Sequence, residues 1–156
     1  MVSKIARKYL LSLSAVVFTT ALAVPAYAQE SHACSLARSG GKWSFTDQGT
    51  VLGIGSRTAI GVFALDGAGN LQNGIATASL AGSVASETFS GTYTVNPDCT
   101  GTISVEIFSS GTEILAVTLS IAFDEDMKHI RGIFSSATTP NRTQLATVIN
   151  LDAQKQ

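Results

Sequence analysis

From Glu87 to Phe108 the chain alternates twice in strict steps of two, with a short turn between. Phe89, Gly91, Tyr93 and Val95 fall on one face of the first run, and Thr88, Ser90, Thr92 and Thr94 on the other. In the second run Ile103, Val105 and Ile107 alternate with Thr102, Ser104 and Glu106. A period of two sustained in this way describes strands with one apolar and one polar face, not helices. The link Asn96-Pro97-Asp98 is far too short for a crossover, so the two strands are antiparallel neighbours.

The same grammar runs through the rest of the chain. β-favouring runs are expected at about 42–46, 57–65, 71–81, 87–95, 100–108, 113–123, 129–136 and 144–151. The links Asp66-Gly67-Ala68-Gly69-Asn70, Ser109-Ser110-Gly111 and Asp124-Glu125-Asp126 supply residues that tolerate tight turns or positive φ. Eight sequential antiparallel strands close most economically into an up-and-down β-barrel, which removes unpaired edges. A β-sandwich is the alternative; its long crossing connections are missing from the second half.

The first residues are built differently. Lys4, Arg7 and Lys8 precede an apolar run from Tyr9 to Val24, and Ala26-Tyr27-Ala28 ends it with small residues where a signal peptidase requires them. We expect residues 1–28 to be a helical signal peptide cut between Ala28 and Gln29, sending the protein to the periplasm or the medium. Residues 29–41 then form an N-terminal segment and residues 42–156 the barrel domain. The leader takes three of the ten basic residues and none of the eleven acidic ones, which leaves a net charge of −4. That charge disfavours nucleic acid as a partner, and no segment after the leader suits a membrane-spanning helix.

Cys34 and Cys99 are the two cysteines. In an oxidising compartment they are expected to form a disulfide that ties the N-terminal segment to the middle of the chain.

Chemistry is harder to find. Asp124-Glu125-Asp126 with His129 offers clustered oxygens and an imidazole, but not the spacing of a calcium loop; a solvated hairpin tip is the simpler reading. Asp66-Gly67-Ala68-Gly69-Asn70 has too few ligands for a cation and reads as a turn. Val51-Leu52-Gly53-Ile54-Gly55-Ser56 lacks the third glycine of a dinucleotide loop and is expected to be a mobile loop able to fold over a barrel mouth. His32 and His129 could be set beside a serine, but no serine sits on a nucleophile turn. Neither a catalytic residue nor a metal site nor a cofactor is expected. Glu87, Glu106 and Arg131 lie within strands, and any of them that points inward needs a partner or a function.

The segment Gly91-Thr92-Tyr93-Thr94-Val95-Asn96-Pro97-Asp98-Cys99-Thr100-Gly101-Thr102 resembles a pattern recurring in exported bacterial β-rich proteins, as do Leu65 to Leu71, Ile130 to Phe134 and Thr147 to Ile149. The overall plan is similar to the small barrels of lipocalins and of the allene oxide cyclase and dirigent group. What these resemblances imply is a domain and a fold, not an activity.

Three functions fit. The first is a non-enzymatic exported barrel holding a small apolar ligand, or an envelope interaction module. Its lumen would be lined by Phe89, Tyr93, Ile103, Val105, Ile107, Leu115, Val117, Leu119, Ile121 and Phe123, and Gly61, Gly74, Ala76, Ala78 and Gly91 would leave space. A sealed interior below about 100 Å³ would instead be a filled core, since ligand pockets usually exceed about 300 Å³. The second is an isomerase or cyclase, which requires an inward carboxylate or tyrosine at the lumen wall. The third is a homo-oligomeric structural subunit that uses an apolar outer face around Ile114 and Ala116.

Overall fold

The computed structural model describes residues 34–156. The leader, its cleavage point and His32 lie outside the described residues. A four-residue helix, α1 (Leu36–Ser39), precedes eight strands: β1 (Gly41–Val51), β2 (Gly55–Leu65), β3 (Asn70–Leu80), β4 (Ser83–Val95), β5 (Thr100–Ser109), β6 (Thr112–Phe123), β7 (His129–Thr138) and β8 (Thr147–Lys155). They form one closed barrel in sequence order, with β8 pairing antiparallel to β1. The expected up-and-down barrel is the observed fold, and the sandwich is not.

Three strands differ most from expectation. β1 runs on past Thr46 to Val51, because Asp47 to Val51 pair with β2 on one side and β8 on the other. β4 begins at Ser83, opposite Leu80 of β3. β8 starts at Thr147 and continues to Lys155 against Trp43. Where a strand runs longer than expected, ladder pairing on the closed sheet overrides weak local β-propensity.

An up-and-down course places α1, the chain end after β8 and the turns after β2, β4 and β6 at one end of the barrel. The turns after β1, β3, β5 and β7 occupy the other. The first end is plugged. Cys34 and Cys99 form the expected disulfide, which holds the start of the described chain against the β4–β5 turn. Ser39 Oγ donates to Leu36 O (2.7 Å) and lies 2.8 Å from Tyr93 Oη; Trp43 Nε1 donates to Ser39 O (3.1 Å). Lys155 Nζ donates to Arg38 O (2.9 Å) and stands 5.9 Å from the Trp43 ring centre. Trp43, Met127 and Ile130 are fully enclosed beneath this plug.

Aromatic rings rise from the plug into the lumen. Trp43 stacks on Phe63, with centroids 6.3 Å apart, and Phe63, Phe45 and Phe89 meet one another at 5.6, 5.8 and 6.3 Å. The inward glycines fit these rings to the wall. A Cβ at Gly74 would stand 2.4 Å from the Phe89 ring, and one at Gly61 would stand 2.8 Å from Phe45 and 2.2 Å from Ile75 O. The space expected from Gly61, Gly74 and Gly91 is therefore consumed, by phenyl rings at the first two positions and by the close approach of Ser104 O at Gly91.

The far end differs from expectation too. Leu52, Gly53 and Ile54 make a tight hairpin turn closed by Ile54 N donating to Val51 O at 3.0 Å, and Leu52 and Ile54 project into solvent. This turn does not fold over the mouth. The segment that leans on the barrel there is the longer β7–β8 connection, through Leu145, which packs against the core. On the outer surface, Ile114 is exposed and Ala116 half-buried. A larger apolar outer patch lies on β2 and β3, where Val62 stands opposite Ile75 and Ile60 is exposed beside them.

Candidate ligand-binding lumen

The inward face of β1 reads Trp43, Phe45, Asp47, and that of β2 reads, from the same end, Leu65, Phe63, Gly61, Ala59, Arg57. Unbroken alternation thus carries an acid and a base into the barrel. Glu87 joins them from the inward face of β4. Arg57 spans the inward side of β3, where Ala76 and Ala78 are small enough to let it pass. Its Nη1 and Nη2 donate to the two oxygens of Glu87 at 2.9 and 2.8 Å, and Nη2 also donates to Asp47 Oδ2 at 3.3 Å. The three residues are 3% (Asp47), 8% (Arg57) and 5% (Glu87) exposed.

Two carboxylates face one guanidinium, so the fully ionised cluster carries net charge −1. Burial raises the Asp47 carboxyl above its usual range; the charge and hydrogen bond of Arg57 and, least, the peptide N–H of Ala59 oppose this, and the Glu87 charge reinforces it. Burial alone would lower Arg57, but the hydrogen bond to Glu87 and the charges of both carboxylates raise it further. The surroundings of Asp47 therefore favour its protonated form.

The cluster is incompletely paired. Asp47 Oδ1 and Arg57 Nε are buried with no hydrogen-bond partner among the described residues. An orphaned buried donor or acceptor costs about 1–3 kcal/mol, and native interiors contain few. Here two occur in touching residues.

Both residues, with Glu87, line a cavity of about 50 Å³ whose other walls are apolar. Of the expected lining residues, Phe89, Ile103, Val105, Ile107, Val117 and Leu119 border it. Tyr93, Ile121 and Phe123 do not; they are buried in the core, Tyr93 in contact with the plug. Leu115 packs against the core without reaching the cavity. Phe45, Phe63, Leu71, Phe134 and Leu151, none of them an expected lining residue, complete the apolar wall with Ala76. At this size the lumen lies below the roughly 100 Å³ that marks a filled core, so its volume does not by itself support ligand binding; the charged cluster is what departs from a filled core. The lumen has room for a few heavy atoms, about a third of the ~150 Å³ apolar cavity that admits benzene.

Other candidates resolve into structure. Glu106 and Arg131 point outward. Asp124 Oδ1 caps the peptide N–H groups of Lys128 (2.7 Å) and His129 (3.2 Å), while His129 Nε2 pairs with Asp152 at 2.9 Å. Asp66 Oδ1 accepts from Ala68 N and Asn70 N at 2.8 and 2.9 Å, which makes that segment a turn. No group of three His, Cys, Asp or Glu positioned for a metal occurs among the described residues, nor is any helix there long and apolar enough to cross a membrane.

No family model and no curated protein matches the sequence. Solved structures do. A redesigned β-barrel, mFAP1, bound to DFHBI is 17% identical, with a TM-score of 0.51 over 78% of this chain and 98% of its own. The EF1p2_mFAP2b barrel, also bound to DFHBI, is 15% identical, with a TM-score of 0.52 over 81% and 98%. At this identity the likeness is one of fold: a small closed antiparallel barrel.

Proposed function

We propose that the protein is an exported barrel that binds a small, mostly apolar molecule in its lumen. One observation carries this reading: a lumen otherwise walled by hydrocarbon contains a charged cluster with two orphaned polar atoms. A filled core gains nothing from such a cluster, because well-packed apolar residues of similar volume serve stability as well or better. The comparison barrels were solved with a small molecule bound, which supports the fold's capacity for such a ligand. The modest cavity restricts the ligand to a few heavy atoms unless the half-buried rings of Phe89 and Phe134 give way.

Native mass spectrometry of protein purified from its own cells tests this. The expected result is a discrete low-mass adduct that is lost on denaturation and is absent from Ala76→Leu, in which a larger side chain occupies the lumen wall. A bare polypeptide in the wild type overturns the reading.

An isomerase or cyclase is the second reading, favoured by the inward carboxylates. Both oxygens of Glu87 are engaged by Arg57, which leaves Asp47 as the proton-transfer group. Conversion of the co-purified molecule by the wild type but not by Asp47→Asn would select it.

A further inference from the structure

The lumen cluster also specifies the polar end of its ligand. Asp47 Oδ1 is an unused acceptor and Arg57 Nε–H an unused donor, both buried and both on residues bordering the cavity. A carboxylate or phosphate end could accept from Arg57 Nε–H, but it offers nothing to Asp47 and enters beside two carboxylates balanced by one guanidinium. An ammonium could donate to Asp47, but it leaves Arg57 Nε–H orphaned and stands against the guanidinium charge. An ether or ketone satisfies the arginine alone. A hydroxyl does both: its proton goes to Asp47 Oδ1 and its lone pair receives Arg57 Nε–H.

Resting on the reading of the barrel as a ligand carrier, we infer that the ligand is a small uncharged molecule with a hydroxyl end. The hydroxyl inserts at Asp47 and Arg57, and the hydrocarbon body lies among Phe45, Phe63 and Phe89. Sites built to pair a hydroxyl reject analogues lacking it because the site's own polar groups are then left unpaired. The cluster, rather than the apolar wall, therefore sets the selectivity.

The probes are 1-pentanol, its isomer butyl methyl ether, pentanoate and pentylammonium, whose six or seven heavy atoms enter as the half-buried rings of Phe89 and Phe134 give way, titrated into the folded protein and followed by the NMR signals of the Arg57 Nε–H group and the lumen methyl groups. The expected result is that 1-pentanol binds at least about tenfold more tightly than the other three and moves the Arg57 Nε–H resonance. Asp47→Asn turns the acceptor into a donor and removes one negative charge; it should shrink the preference over the ether and relax the rejection of pentanoate. Glu106→Gln, on the outer surface, should change neither. Equal binding of the ether, or tighter binding of pentanoate or pentylammonium, overturns the hydroxyl assignment and leaves lumen binding intact. Failure of all four to perturb the lumen methyl groups removes both.

Discussion

The two ends of the barrel are built on opposite principles. At the plugged end the polar groups that enter the interior are matched: Ser39 Oγ, Tyr93 Oη and Trp43 Nε1 each have a partner within 3.1 Å, and a disulfide holds α1 over them. Toward the other end a more costly set of groups, two acids and a base, is buried with one acceptor and one donor unmatched. The first arrangement is what stability alone produces. The second is worse than stability requires, and natural interiors that break local rules in this way do so mostly at functional sites.

Removing the charge at the centre of the cluster is the harshest way to break the contrast. Arg57→Met leaves Asp47 and Glu87 facing each other in a buried site without a counter-ion. The expected loss is about 3–5 kcal/mol, read from urea unfolding at neutral pH. Replacing all three residues together, as Asp47→Leu, Arg57→Met and Glu87→Leu, should restore or exceed wild-type stability while abolishing binding. A triple variant as unstable as the single one would mean that the cluster holds the barrel together, and the contrast between the ends would fail.

At the plugged end the disulfide is the comparable lever. It closes a loop of sequence separation 65, and the chain-entropy model assigns such a bridge about 4 kcal/mol. The double variant Cys34→Ser, Cys99→Ser should lose somewhat less than this, because the plug hydrogen bonds remain. Loosening of α1 exposes Trp43 and should shift its fluorescence to the red. Alcohol binding in the lumen should persist, which distinguishes a structural end from a functional one.

The barrel was legible in the sequence because its evidence is local. Alternation in Glu87 to Phe108 and turn residues at Asp66 to Asn70 and Asn96 to Asp98 each point to their structure within a few residues. The site was only half legible. Glu87 stood out as a strand charge needing a partner. Asp47 was hidden because Asp47-Gln48-Gly49-Thr50 has poor β-propensity and becomes strand only through pairing with β2 and β8. Arg57, Ala59, Gly61, Phe63 and Leu65 share one parity, and counting back from Phe63 places Arg57 inside. No local pattern announces that Arg57 crosses over Ala76 and Ala78 to reach Glu87 two strands away. That fact belongs to the closed sheet.

The smallest expected effect is also the sharpest discriminator, because the two ends titrate in opposite directions. In the plugged-end turns, the hydrogen bonds from Asn70 and Ala68 lower Asp66, and those from Thr100 lower Asp98, both below their usual 3.8. Their contribution is present above pH 3.8 and disappears as the pH falls through their depressed folded values. Asp47 is raised, chiefly by burial. Its contribution is complete below pH 3.8 and is lost as the pH rises through its elevated folded value, so at neutral pH the ionised Asp47 weakens the fold. Urea midpoints measured across the acid range should therefore diverge in sign. Asp47→Asn should gain on the wild type as the pH rises above 3.8, whereas Asp66→Asn should trail it by a constant margin there and draw level only as the pH falls below 3.8. If both variants track the wild type in parallel, Asp47 is not held in a desolvated site, and the case for a lumen that keeps its polar atoms waiting for a ligand loses its electrostatic support.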